Sequence, residues 1–320
     1  MSQAKYCAGS EALPVAEGSV RQTSDAFGFK WAKRETYESD AVREKARNWL
    51  IERYLGGDPA VLDRWLSGSG RFVLDAGCGA GFSAELLFGE RLNEHDYLGL
   101  DFSEAVHVAR ERFSQAGIKG RFVRADLLHP PVAPGSADVI FSEGVLHHTG
   151  DTRRALLTMS GLLKPGGLML FYVYAKKAVV REYTDDHIRT RLKDMTNEEA
   201  WEALRPLTRL GKVLGDLNVE IDVPEDVPLL GVKAGKMDLQ RFMYWNIVKL
   251  FYDPSWSIEE MLHVNFDWFR PLHCQRQTPE EVECWCREAG LSIERMDVQE
   301  AGITVVAVKA GGSEAGGGGA

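Results

Sequence analysis

The chain has 320 residues, 44% of them hydrophobic and 27% charged, a balance that supports a sizeable buried core rather than disorder. Its formal net charge of -9 argues against a protein whose main task is gripping nucleic acid, because phosphate contacts need clustered Lys and Arg. No run of about 18 apolar residues exists, and the opening MSQAKYCAGSEALPV lacks the basic and apolar regions of a signal peptide. A soluble, cytoplasmic chain with no membrane partner is therefore expected. The five cysteines are odd in number and scattered, which suits free thiols in a reducing compartment.

In chain order, residues 1–35 read as irregular around an aromatic knot at Phe27, Phe29 and Trp31. Helical spacing starts near Tyr37, where Val42, Ala46, Trp49, Leu50 and Tyr54 recur on one face. A short helix follows, with Asp58 and Pro59 as its cap and first turn. The middle then alternates. Strands are expected at 71–75, 97–101, 121–126, 137–143 and 168–174. Helices are expected at 84–88, at 103–117 between Ser103 and Gly117, and at 152–163 before Lys-Pro-Gly-Gly. Such alternation predicts a parallel sheet covered on both faces. Residues 176–275 look mainly helical, with a Pro-punctuated stretch at 222–230. A helix at 279–290 and strands at 291–298 and 303–309 close the chain.

The fold class is therefore α/β: a Rossmann-like, seven-stranded, mostly parallel sheet with an antiparallel last strand, plus an N-terminal helical cap and a helical insertion. The expected parts are 1–69 as extension and cap helices, 70–175 with 276–310 as the binding domain, 176–275 as the insertion, and 311–320 as a disordered Gly-rich tail.

The segment VLDAGCGAGF, residues 73–82, carries the chemistry. A strand ends in the acid Asp75, and Gly77, Gly79 and Gly81 follow at alternate positions. Glycine permits positive φ and close backbone approach, and the next helix turns its free N–H groups toward a ligand. A dinucleotide fingerprint would carry its third glycine where this chain has Phe82. An acid beside the turn repels pyrophosphate but suits a ligand bearing an ammonium. Cys78 fills the space between the glycines.

VLDAGCGAGF resembles motif I of the class I S-adenosylmethionine-dependent methyltransferases. Further matches come in the family's order. The resemblance implies that Asp101, in LGLDFSEAV, receives both ribose hydroxyls and that Phe102 packs on adenine. It implies that Asp126, in RADLL, binds the adenine amino group with the backbone of Leu127. FSEGVLHHT, with Ser142 and Glu143, is similar to the family's segment beside the methyl donor, and LLKPGG to the turn before strand five. The likeness covers about 70–175 and 278–309. The flanks SDAFGFKWAKRE and FDWFRPLHCQRQTPEEVECWCREAGL look like a bacterial group acting on small molecules or sugar-type acceptors. Some relatives begin with a Cys-rich zinc module; with only Cys7 in that region, none is expected here.

The implied activity is transfer of a methyl group from S-adenosylmethionine, leaving S-adenosylhomocysteine, to a small-molecule acceptor at oxygen, nitrogen or carbon. No metal is required. The cofactor residues are Asp75, Gly77, Cys78, Gly79, Gly81, Asp101, Phe102, Asp126, Leu127 and Ser142. His147, His148 and Glu143 are the catalytic candidates, because they follow strand four where an acceptor would lie. His263, Asp267, His273 and Tyr174 are secondary ones. Each has a plainer reading: a tight turn for the glycines, a solvated strand end for the acids, a helix cap for the histidines. The segment Ser142-Glu143-Gly144-Val145 lacks the Pro-Pro pattern used on planar amino groups and the Pro-Cys used on cytosine. No nucleic acid partner is expected, and homodimerisation stays open. The aromatics of the insertion serve either a packed subdomain or a lid over the acceptor. A carbohydrate or nucleotide-sugar acceptor, the alternative, would place polar residues of the insertion toward the pocket instead. A nicotinamide-dependent oxidoreductase is the more distant alternative.

Overall fold

A computed structural model describes residues 17–311. Cys7, the start of the N-terminal extension and the tail from 312 onward lie outside the described residues. The chain opens with α1 (Glu17–Ala32), α2 (Asp40–Leu55) and α3 (Ala60–Trp65). Then come β1 (Phe72–Ala76), α4 (Phe82–Phe88), β2 (Asp96–Asp101), α5 (Ala105–Gln115), β3 (Arg121–Arg124), β4 (Ala137–Glu143), α6 (Thr152–Leu162) and β5 (Leu163–Tyr174). The insertion holds α7 (Val179–Leu192), α8 (Asn197–Asp216), β6 (Glu220–Val223), β7 (Gly235–Asp238), α9 (Leu239–Asn246) and α10 (Ile258–Phe269). The chain returns to the sheet through α11 (Pro279–Glu288), β8 (Leu291–Val298) and β9 (Gly302–Lys309).

Seven strands form one sheet in the order β3-β2-β1-β4-β5-β9-β8, and β9 runs antiparallel to its neighbours β5 and β8. The expected fold class is what the structure has. Alternate strand residues serve opposite faces. Leu74, Ile140, Met169 and Phe171 face α6 and α11 in one core cluster. Val73, Val139, Phe141 and Leu170 face α2, α4 and α5 in another. Burying one such Leu or Phe contributes about 1.5–3 kcal/mol. The order of the strands reverses between β1 and β4, which opens a crevice at their carboxyl ends.

Helix starts follow local chemistry. Thr196, Ser257 and Thr278 each accept the backbone N–H three residues on, and Glu199, Glu260 and Glu281 return the bond to the cap backbone. Pro279 occupies the first turn of α11.

Four expectations need correction. Residues 17–32 form a helix rather than irregular chain. Their mixed sequence hides this because the helix is held by tertiary contacts: Ala26 and Phe29 enter the core of the insertion, and the Ser24 hydroxyl donates to the Phe102 carbonyl. The Lys-Pro-Gly-Gly stretch does not separate α6 from β5 but lies within β5, where pairing with β4 shifts register. Gly166, at φ 77°, permits that irregularity. The insertion also carries an antiparallel β6–β7 hairpin beside its helices, and the Pro-punctuated stretch runs into its connection. Among the described cysteines Cys78, Cys274 and Cys286 are buried free thiols, whereas Cys284 is disulfide-bonded, against the expectation of free thiols throughout.

Candidate functional site

A cavity of about 1720 Å³ opens at the carboxyl ends of the central strands. Typical ligand pockets hold roughly 300–1,000 Å³, so this one has room for two small molecules. One end is built by the turns after β1, β2 and β3, through Gly77, Gly79, Asp101, Phe102, Asp126 and Leu127. The other is built by the insertion, through Tyr244, Trp245, Phe251 and Trp256, while Trp31 of α1 covers Gly79. Glu143, Gly144, Val145 and His148, beyond β4, lie in the same lining.

The β1–α4 turn needs its glycines. Gly77, Gly79 and Gly81 have φ of 89°, 49° and 71°. A Cβ on Gly77 would lie 2.2 Å from Val145, and one on Gly79 would lie 2.8 Å from the Trp31 indole nitrogen. The turn is fastened to β2, because the Asp101 carboxylate accepts the N–H of Gly79 at 2.8 Å and that of Ser103 at 2.8 Å. It also accepts the Ser103 hydroxyl at 2.6 Å. An ionised carboxylate has about four acceptor sites, so three donors leave one open on the cavity side. Phe102 presents an exposed ring beside it, 38% accessible, which offers a flat partner a stacking surface. Asp126 accepts the Leu128 N–H at 2.8 Å and stays part exposed.

Of the site residues expected from the sequence, eleven line this cavity: Gly77, Gly79, Asp101, Phe102, Asp126, Leu127, Glu143, His148, Tyr174, His263 and Asp267, whereas His273 does not. Asp75, Cys78, Gly81, Ser142 and His147 do not. Asp75 turns into the core, where it accepts the Tyr97 hydroxyl at 2.7 Å. Burial pushes its carboxyl up to about 7, against the effect of that hydrogen bond. The Ser142 hydroxyl donates to the Ala76 carbonyl at 2.8 Å, tying β4 to β1. Gly81 packs toward Phe113 and Cys78 is buried beneath the turn.

The two histidines differ. His147 is fully buried and lies against the Tyr174 ring with centroids 3.8 Å apart. His148 Nδ1 lies 2.6 Å from the His273 carbonyl, and a carbonyl only accepts, so Nδ1 carries the proton. Its Nε2 then holds a free lone pair, and that atom has no partner among the described residues. Burial lowers this imidazole to about 4, so it is neutral at pH 7. Glu143 receives Arg53 Nη1 at 2.9 Å and the Tyr54 hydroxyl at 2.5 Å, and burial raises its carboxyl against the pull of Arg53.

Sequence reasoning named Asp267, Tyr174, His263 and His273 only as secondary candidates and missed the cations Lys30 and Lys249 that surround Asp267 on the insertion side. Asp267 accepts the Lys30 ammonium and the Tyr174 hydroxyl, the latter at 2.8 Å. Burial acts to raise Asp267, but Lys30, His148 and Lys249 outweigh it and hold the carboxyl well below the usual range. The His263 ring meets the Thr36 hydroxyl at 2.8 Å, and His273 meets Ser19 at 3.0 Å. The one signal available was SDAFGFKWAKRE itself, which supplies Lys30 and Trp31 from α1. Among the described residues no group of three or more His, Cys, Asp or Glu is placed to hold a metal, and no helix is long and apolar enough to cross a membrane.

Part of the chain is similar to known proteins. Residues 74–171 match the profile of a methyltransferase domain. An uncharacterised protein of Synechococcus is 36% identical over 116 residues, covering 34% of this chain and 27% of that one. An uncharacterised methyltransferase of Mycobacterium tuberculosis is 34% identical over 110 residues, covering 34% of this chain and 54% of the relative. The chain thus spans about half or less of the length of these curated relatives. Among solved structures, the magnesium protoporphyrin IX methyltransferase of Synechocystis with bound S-adenosylmethionine aligns over 93% of this chain and all of that one, at 13% identity and a TM-score of 0.49.

Proposed function

The chain has the fold of the class I S-adenosylmethionine-dependent methyltransferases, and from that premise we propose that it transfers a methyl group from S-adenosylmethionine to a small-molecule acceptor bound under the insertion. The supporting observation is one cavity that joins the strand-end turns to the aromatic residues of the insertion. The residues present fit the cofactor. Gly77 and Gly79 line the strand-end turn, their missing Cβ atoms leaving room for Val145 and Trp31, Asp101 keeps an open acceptor site for ribose, Phe102 offers its ring to adenine, and Asp126 with Leu127 closes the end. When bound, the cofactor supplies an electrophilic methyl group on a sulfonium.

The remaining work falls to this chain. Tyr244, Trp245, Phe251 and Trp256 wall the acceptor end and exclude water. His148 offers its Nε2 lone pair to a hydroxyl or amine proton of the acceptor. Glu143 fixes Arg53 and Tyr54 at the wall. The insertion lines the cavity with Tyr244, Trp245, Phe251 and Trp256 and also with Arg241, Lys249, Glu260, His263 and Asp267, a wall that is both aromatic and polar. Asp75, buried against Tyr97, serves the strand rather than a ligand's amino group.

Calorimetry tests this reading. S-adenosylhomocysteine is expected to bind and NAD not to. Asp101→Asn should weaken that binding by about 1.5–3 kcal/mol, because a charged acceptor becomes neutral. Unchanged affinity in the variant, or binding of NAD alone, contradicts the assignment.

A further inference from the structure

Lys249 lies three residues beyond α9 in the insertion, is 6% exposed and lines the cavity. Its backbone N–H donates to Asp185, while none of the hydrogen bonds or ion pairs among the described residues engages its ammonium. Its contact is with the Trp268 ring, 4.7 Å from the centroid. A buried, unpaired ammonium is costly, and buried charges are ordinarily matched. Burial lowers it to about 8, against the attraction of Asp267.

The carboxylates that would serve it are engaged elsewhere. Asp267 holds Lys30 and Tyr174. Glu143 holds Arg53 and Tyr54. Asp185 holds Arg181 and the Trp268 indole. A second donor on the same lining is also without an acceptor: the buried Trp256 indole N–H. Arg241, again in the lining, has only a ring contact with Tyr244, 5.7 Å from its centroid. The acceptor end therefore carries unmatched donors and unmatched positive charge inside an aromatic wall.

We propose that the acceptor is an apolar, ring-bearing small molecule with a carboxylate, and that Lys249 receives that carboxylate. This rests on the methyl-transfer reading and names its substrate class. A monoanion matches the single charge of one enclosed ammonium.

The test uses the full chain saturated with S-adenosylhomocysteine and two acid–amide pairs as probes: 2-naphthoate with 2-naphthamide, and indole-3-propionate with its amide. Calorimetry should show each acid binding at least about tenfold more tightly than its amide, as expected for a charge-assisted contact. Lys249→Met should abolish the difference without loss of S-adenosylhomocysteine binding, and Lys249→Arg should keep part of it. Equal binding of acids and amides, no binding of either acid at millimolar concentration, or an acid preference that survives Lys249→Met each overturns the proposal. The wild-type comparison stands even if a variant does not fold. Failure of S-adenosylhomocysteine to bind at all would instead overturn the methyl-transfer reading.

Discussion

His148 shows how one side chain's role follows from its neighbours. The His273 carbonyl fixes the tautomer, burial keeps the ring neutral, and the remaining lone pair is left for a ligand. With an acceptor that turns over, His148→Gln is expected to lower kcat by about 10²-fold, the low end for proton transfer because a group near 4 is a weak base. S-adenosylhomocysteine affinity should not move; an unaltered kcat removes His148 from proton transfer. Asp75 illustrates the opposite placement. Its carboxyl is raised to about 7 in the fold and lies near 3.9 in the unfolded chain, so its contribution is present below pH 4 and lost as pH rises through 7. Asp75→Asn keeps a partner for Tyr97 and removes the titration. Urea unfolding should show the variant gaining about 4 kcal/mol relative to wild type between pH 4 and pH 8. A gap that stays constant with pH would mean that Asp75 is not a buried acid of this kind.

Among the elements, the insertion stands on a buried polar post. Arg181 of α7 is 1% exposed; it bonds Asp185 at 2.5 Å and the Tyr244 carbonyl, while the Trp268 indole donates to Asp185 at 2.7 Å. Asp185→Ala strands a buried guanidinium and should destabilise the protein by about 3–5 kcal/mol in urea unfolding. A loss below about 1 kcal/mol would show that water reaches Arg181. The strands and their ends were legible because period-two apolar runs and glycine turns are local signals: β4 and β8 have the bounds that their apolar patterns indicate. The first helix was not, since Ser24, Phe29 and Lys30 find their partners on the β2–α5 turn and the insertion, far away in sequence. For the same reason the sequence pointed to Asp101, Phe102 and Asp126 but not to Lys30, Lys249 or Arg53. Nothing local marks which charges turn inward. It also counted Asp75 among the ligand contacts, because a strand-end acid reads alike whether it faces a crevice or a core.

For the whole molecule, three bodies share one cavity: the strand ends, the first helix and the insertion. The packing of α1 against α5, α8 and α10 joins them. Such a site makes both substrates depend on the same walls, and a two-molecule volume is what a transfer between two bound partners requires. A crystal structure of the protein grown with S-adenosylhomocysteine tests this most directly. The expected result is the ribose at Asp101, adenine between Phe102 and Asp126, and the sulfur facing the chamber walled by Tyr244, Trp245 and Trp256. Density for the ligand elsewhere, or a crevice at Gly77 and Gly79 that takes up a nucleotide phosphate instead, would contradict it.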